Sequence, residues 1–397
     1  MPLFDFVCEV SLNDDCDPCI SWKHHEIQED DRLKSMTQNI PKFCFPDVDS
    51  VKPVREMEPE TYCFVFRDSP VENMFGFCRR FLPATESGSP QKRFPVVYCM
   101  ITQLRCFETF SKIFDQVVKL RSISDVAAQS FLKALSKQNA PKLGHSITVS
   151  YLNAELGDLD GFTIERLAAP KRFEHVNLAD LLKKLGSTLL VEIFINLLAE
   201  RNVLFVAESL NELTTTMHSI MQLLHPLHWQ CTYIPVLPQD AMYVTSSPIP
   251  FAIGILNQHA KALKEKGSCN LVKISKKQFS KQRNSAHIPV KKELRENLKQ
   301  ELKQYKGKMS ESGQTPEQQT VEIGGIFCQF IKALIGHYTD HVTFNAAGQP
   351  EINNESFIKA AEEHADFVWE LSRTQMFGSF IHGLTQESTN EDVFHAR

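Results

Sequence analysis

LLHPLHWQCTYIPVLPQDAMYVTSSPIPFAIGI, Leu223 to Ile255, is the stretch whose reading decides the fold. Trp229, Cys231 and Tyr233 alternate with Gln230 and Thr232, the two-residue period of a strand, and Pro235 and Pro238 then end any hydrogen-bonded ladder. Pro248 and Pro250 bracket Ile249, after which Phe251 to Ile255 predict a second, buried strand, with Gly254 marking a close backbone approach. Upstream, Leu189, Leu190, Ile193, Phe194, Leu197 and Leu198 recur at helical spacing. Val203 to Val206 is a short apolar run, and Ser209 with Glu212 has the form of a capping box. The helix it opens carries Leu213, Met217, Ile220 and Leu224 on one stripe. Helix, strand, helix and strand with short connections predict an α/β fold with a largely buried sheet, in which Trp229 and Tyr233 read as core.

Composition sets wide bounds around this. The chain has 397 residues, 42% of them hydrophobic and 23% charged, which suits two or three folded domains and excludes a disordered chain. Eleven scattered cysteines behind an acidic start, MPLFDFVCEVSLNDD, suggest a reduced, cytoplasmic setting. No run of about eighteen apolar residues predicts a transmembrane helix, and Pro2 and the terminal His395, Ala396 and Arg397 match neither a myristoyl nor a prenyl signal. Charge is unevenly spread. Residues 261–308 hold fifteen Lys and Arg against four acids, so a segment of +11 sits in a chain of −5.

Three regions follow. Residues 1–152 begin with strand-like LFDFVCEV and TYCFVFRD, joined by charged connecting sequence. VVYCMIT then feeds a helix in which Leu104, Phe107, Phe110, Phe114, Val117 and Val118 share a face, predicting a small antiparallel sheet with helices packed on it. Residues 153–309 hold the α/β series. After a linker at 310–320, SESGQTPEQQT, residues 321–397 read as all-helical, with Ile323, Phe327, Phe330, Ile331, Leu334 and Tyr338 on one stripe. Phe357, Phe367, Val368, Leu371, Phe377, Phe380 and Ile381 form others.

Signatures of covalent chemistry are missing. No GxGxxG follows a strand, and neither GxxxxGK[ST] nor GxSxG occurs, so no catalytic residue and no cofactor is expected. Cys16 and Cys19 form a CxxC with His24 and His25 beyond, but no second CxxC supports a zinc site, and an ordinary reduced loop is the simpler reading. His337 and His341 lack the intervening Glu of a zincin, while His218, His225 and His228 read as packed or helix-end residues. No metal is expected. A negative net charge without a stacking platform argues against nucleic acid.

The pieces LLAERNVLFVAESLNEL, HPLHWQCTYIPVLP and SSPIPFAIGI resemble the central part of the DENN-domain family. IPKFCFPD, FGFCRRFLP and FPVVYCMITQLRCFETFSKIFDQV resemble its upstream module, and the region ending in TQMFGSFI resembles its downstream module. The resemblance spans nearly the whole chain and is strongest to the subgroup that joins CFPD with GxCRRxLP. It implies a longin-like upstream module and a guanine-nucleotide exchange factor for a Rab-family small GTPase, bound in its GDP-loaded and nucleotide-free forms across the upstream and central modules. A role in trafficking at endosomal or vesicular membranes would follow. Such a protein needs a shaped surface and no nucleophile.

For that surface, the helix face opposite Phe107 and Phe114 offers Glu108, Lys112, Asp115 and Lys119. The carboxyl end of the Val203–Val206 strand, where ligands of open α/β sheets gather, offers Glu208, Ser209 and Asn211. Each of these also has an ordinary reading as a solvated or capping residue. Arg79 and Arg80 are open between structural and functional roles. The basic segment reads either as a contact for an anionic membrane or as a solvated helix face, and the interleaved Glu and Gln favour the second. Tyr243, where many relatives carry an acid, the basic LVKISKKQF and the short region beyond Ile381 depart from the family pattern. Two other functions fit the resemblance, a non-catalytic GTPase-binding scaffold and a GTPase-activating protein using Arg283 as a finger.

Overall fold

The computed structural model describes every residue except 25–30, 68–72, 85–90, 153–158, 167–175, 264–268, 284–285, 310, 312, 386–387, 389–392 and 395–397. The chain divides into two compact units. One comprises Met1–His175, Ser209–Thr214 and Pro235–Met242; the other comprises Val176–Glu208, Thr215–Ile234 and Tyr243–Arg397. As the sequence periods predict, the fold is mixed α/β.

In the first unit, β1 (Phe6–Leu12), β2 (Pro18–Lys23), β3 (Glu60–Arg67), β4 (Asn73–Phe81) and β5 (Val96–Thr102) make one antiparallel sheet in the order β2-β1-β5-β4-β3. Strand alternation gives it two packed faces. On one lies α1 (Asp31–Cys44): Phe43 meets Phe64 of β3 at 5.1 Å, and the Cys44 and Cys78 sulfurs stand 3.8 Å apart. On the other lies α2 (Phe107–Ile123), whose Phe110 stacks on Phe77 of β4 at 4.6 Å. α3 (Asp125–Ser136), capped by Ser124, packs beside α2, and β6 (Ser146–Leu152) pairs with β7 (Leu159–Glu165) in a hairpin. β2 and α1 occupy sequence that reads as connection. The half-buried β2 has no clean alternation, and Pro41 interrupts the pattern of α1. FGFCRRFLP is the body of β4, where Gly76, Arg79 and Arg80 break the apolar run that would betray a buried strand.

The second unit holds the parallel sheet. α4 (Leu178–Leu198) leads into β8 (Val203–Ala207), and α5 (Leu210–Gln222), whose residues to Thr214 belong to the first unit, precedes β9 (Thr232–Ile234) and β10 (Phe251–Leu256). β11 (Asn270–Lys273) and the antiparallel β12 (Gln278–Ser280) complete the order β12-β11-β8-β10-β9. β8 and β10 are buried along their whole length, as their unbroken apolar runs predict.

The strand expected around Trp229 is shorter than its alternation suggests. The Trp229 indole N–H donates to the Thr232 carbonyl at 3.1 Å, folding the chain into a turn before β9 begins. Trp229 and Tyr233 are half-buried and not core, and Tyr233 instead shares a hydrogen bond with His218 Nδ1 at 3.0 Å. Tyr243 lies in a 3-10 segment, Gln239–Ser246, and is 77% exposed.

α6 (Lys292–Lys308) packs on α4 through the buried Leu298 and Leu302 and through Arg295, which meets Glu192 at 2.9 Å. α7 (Pro316–Ile335) starts inside the polar 310–320 stretch, which supplies its capping box, Thr315 with Gln318. Phe194 of α4 meets Phe327 and Phe330 of α7 at 4.7 and 5.5 Å. α8 (Asn354–Ala360), α9 (Ala365–Ser372) and α10 (Gln375–His382) follow, after a small hairpin of β13 (Val342–Phe344) and β14 (Pro350–Ile352). That hairpin corrects the all-helical reading of residues 321–397. Its three-residue strands are too short to show a period. Among the described residues, no helix is long and apolar enough to cross a membrane.

Gly76 of β4 sits directly opposite Phe64, and a β-carbon built on it would fall 2.1 Å from the Phe64 ring. Gly76→Ala is expected to destabilise the protein by about 1–3 kcal/mol through overpacking. Urea unfolding measures it, and an unchanged midpoint would show that the ring has room to move.

Candidate functional site

Arg79 and Arg80 are consecutive on β4, so their side chains leave opposite faces of the sheet. Arg80 turns toward α1 and is 6% exposed. Its two terminal nitrogens donate to both Asp47 oxygens at 3.0 and 2.7 Å, and one also donates to the Cys44 carbonyl at 3.2 Å. Its guanidinium lies 5.1 Å from the centre of the Phe45 ring and 5.8 Å from that of Tyr62. Burial alone would lower the Arg80 pKa, but Tyr62 and Asp47 outweigh it and raise it, so the cation persists. The motifs CFPD and CRR are therefore one joint: Cys44 touches Cys78, and Phe45 and Asp47 hold Arg80.

Arg79 turns the other way. It donates to the hydroxyl of Thr61, its partner residue on β3, and to the carboxylate of Asp115 on α2. Asn211, in the Ser209–Thr214 segment of the same unit, donates from its side chain to the Thr61 carbonyl at 2.7 Å. Its backbone N–H donates to Glu60 at 3.0 Å. One polar network thus runs Asn211–Thr61–Arg79–Asp115, joining two residues that sequence reasoning proposed from separate segments.

Around it, Glu108, Lys112, Asp115 and Lys119 are all exposed on one stripe of α2, and Lys112 meets Glu108 at 3.2 Å. Ser209 accepts from the Glu212 N–H at 3.2 Å, the expected cap. Glu208 belongs to the second unit, where it accepts from Asn257 at 3.3 Å. Glu60, Thr61 and Arg79 were not on the sequence-derived list of surface residues. The one available signal was Arg79 in FGFCRRFLP, and without knowing that β4 is a strand nothing assigned its direction.

The histidines flagged from sequence are engaged locally. His337 bonds with the Phe357 carbonyl and His341 with the Ser356 hydroxyl, each at 2.9 Å. Cys16 lies exposed in a turn, His24 reaches Ser136 at 3.1 Å, and His25 falls outside the described residues. Among the described residues, the ligand atoms that come close enough together to hold a metal ion are the sulfurs of Cys44, Cys78 and Cys99, within 4.8 Å of one another and fully buried. Cys78 and Cys99 are cross-strand partners on β4 and β5. Burial raises the Cys78 and Cys99 thiols well above the ordinary value, so both keep their protons at neutral pH. At Cys44 burial is outweighed by hydrogen bonds from Cys78 and Cys99 and by the Arg80 charge, which lower that thiol to about 6.

The same desolvation raises Cys63, Tyr62 and Tyr98. A raised acid keeps its proton in the folded state after the unfolded chain has released it. The stability these groups confer is full below the unfolded values of 9.0 and 10.0 and is lost as pH rises past them. Thermal unfolding followed across that range should show a falling midpoint above about pH 9. A flat profile to about pH 10.5 would contradict it.

These two faces, one locked by a buried ion pair and the other carrying a fixed polar network, define an α/β protein that presents a preformed surface. The model of the DENN (AEX-3) domain matches residues 93–278, and that of the uDENN domain matches residues 24–81. The chain is 30% identical over 395 residues to mouse DENN domain-containing protein 2D, covering 95% of this chain and 81% of that protein. It is 32% identical to human DENN domain-containing proteins 2B and 2A, covering 89% of this chain but only 31% and 35% of theirs. The chain belongs to the DENN family. It spans about a third of the length of those two longer relatives.

Proposed function

We propose that this chain is a guanine-nucleotide exchange factor for a Rab-family small GTPase, working in membrane trafficking. It would bind the switch regions of the GDP-loaded protein and hold the nucleotide-free state. Membership of the DENN family supports this reading, and the observation that carries it is the Asn211–Thr61–Arg79–Asp115 network beneath the exposed stripe of α2. Side chains fixed from below lose little entropy when a partner arrives, which is what a surface acting by binding alone requires.

Binding alone is enough for exchange. A partner that favours the nucleotide-free conformation weakens nucleotide binding by the same factor, and each tenfold acceleration of release needs about 1.4 kcal/mol of differential binding. On this reading, Glu108, Lys112, Asp115, Lys119 and Asn211 contact the GTPase, Ser209 supports Asn211 as a cap, and Glu208 is a separate candidate contact. The upstream residues form a longin-like module, followed by central and downstream modules at 153–309 and 321–397. No cofactor, metal or covalent intermediate enters the scheme, and the site of action is a cytoplasmic membrane face, endosomal or vesicular.

Release of fluorescent GDP from a panel of Rab proteins, with catalytic amounts of the chain, tests this directly. Acceleration for at least one member is expected, with Lys112→Ala lowering it by about tenfold while leaving thermal stability nearly unchanged. Saturable GTPase binding without acceleration would identify a scaffold. Faster GTP hydrolysis, abolished by Arg283→Ala, would identify an activating protein.

A further inference from the structure

The basic segment 261–308 is two different things. In α6, Arg295 and Lys299 meet Glu192 at 2.9 and 3.8 Å, Lys299 also meets Glu296 at 3.0 Å, and Leu298 and Leu302 are buried. That half is a packed helix with a solvated outer face. The half before it differs. From Gly267 to Lys292 the sequence holds seven cations, Lys273, Lys276, Lys277, Lys281, Arg283, Lys291 and Lys292, and no Asp or Glu.

The fold gathers the first five of these around the β11–β12 hairpin, and the last two follow at the start of α6. β12 is the edge strand of the parallel sheet, paired with β11 in the register Leu271 with Ser280 and Lys273 with Gln278. Lys277 N–H to the Ile274 carbonyl, 3.0 Å, closes the tip between them and leaves Lys276 and Lys277 exposed. Gln282 N–H to Asn270 Oδ1, 3.1 Å, brings the chain back beside the start of β11, with Lys281 and Arg283 exposed on either side. Lys291 and Lys292 cap and begin α6, adding two cations at the positive end of its dipole. Among the described residues, none of the seven forms an ion pair.

We propose that this border, the β11–β12 hairpin with the start of α6, binds an anionic lipid surface. The proposal does not depend on the exchange reading. A lysine on an edge strand can serve merely to block pairing with another chain, but the residues of β12 itself, Gln278, Phe279 and Ser280, are uncharged, and the cations flank it at both ends. The kind of cation separates lipid from protein. Six of the seven are lysines, which are depleted in protein interfaces and act as hydrated point charges, whereas arginine is the residue that protein interfaces and bidentate sites favour. Diffuse point charges without a pocket suit a leaflet of acidic headgroups, where each lysine near the surface strengthens binding by about fivefold.

The test sediments the full chain with phosphatidylcholine vesicles, with and without about 25% phosphatidylserine, in the absence of any GTPase. Binding is expected only to the acidic vesicles and is lost when salt rises from about 0.1 to about 0.5 M. Lys276→Gln, Lys277→Gln and Lys281→Gln together should weaken it by about a hundredfold with an unchanged melting temperature. Lys303→Gln with Lys308→Gln, on the exposed face of α6, should stay within about twofold of wild type and serves as the control. If the triple variant melts early, Lys276→Glu alone replaces it, with a loss of about tenfold or more expected. Equal binding to neutral vesicles, or equal losses from the hairpin and α6 variants, would overturn the proposal. So would failure to bind acidic vesicles while the hairpin variant slows nucleotide release from a soluble GTPase, a result that would assign the border to a protein. Nucleotide release in solution without vesicles reports on the exchange reading separately.

Discussion

Two consecutive arginines on a strand must leave opposite faces of the sheet, and in β4 that constraint organises the whole first unit. Arg80 enters the side covered by α1 and finds there a carboxylate, a carbonyl and two aromatic rings. A buried guanidinium left without such partners would be strongly destabilising, so the Asp47 loop has to be where it is. That loop in turn seats a distant segment of chain. The Gln239 N–H donates to the Pro46 carbonyl at 3.1 Å, Lys42 meets Asp240 at 2.6 Å, and Pro235 to Pro238 are buried beside them within the same unit. CFPD, CRR and PVLP stand far apart in the sequence and are parts of one packed joint.

The other arginine is released from that work. Arg79 faces α2, where it holds Asp115 and Thr61, and through Thr61 it shares Asn211. Two of the side chains that could meet a partner, Asp115 and Asn211, are therefore set from beneath by the strand whose reverse face is locked. The nucleotide exchange proposed for this chain asks for a surface of this kind. A surface with fixed charges can prefer one conformation of its partner, and the preference alone accelerates release.

The sequence was most legible where a single period runs unopposed. The apolar runs of β8 and β10, the cap at Ser209 and the apolar stripes of α2 and α7 lie where alternation or helical spacing places them. It failed where a glycine and two arginines break a strand's apolar run, as in β4, where a half-buried strand has no alternation, as in β2, where an element is short, as in the β13–β14 hairpin, and where proline interrupts a helix, as in α1. Trp229 misled because a side chain bonded back to Thr232 turns an alternating stretch into a corner. Of the surface residues, the α2 stripe follows from helical spacing and was found. The network under it depends on the register of Thr61 against Arg79, which no single segment contains.

The division of labour between the two arginines is tested most directly by denaturant unfolding of Arg79→Ala and Arg80→Ala, measured side by side. Arg80→Ala removes the buried guanidinium and leaves the largely covered Asp47 unpaired, so a loss of about 3 kcal/mol or more is predicted. Arg79→Ala, whose carboxylate partner is largely exposed and whose other bond is to a neutral hydroxyl, should cost less, about 1–2 kcal/mol. Equal losses from the two substitutions would contradict the account, because both faces of β4 would then be serving the fold alone.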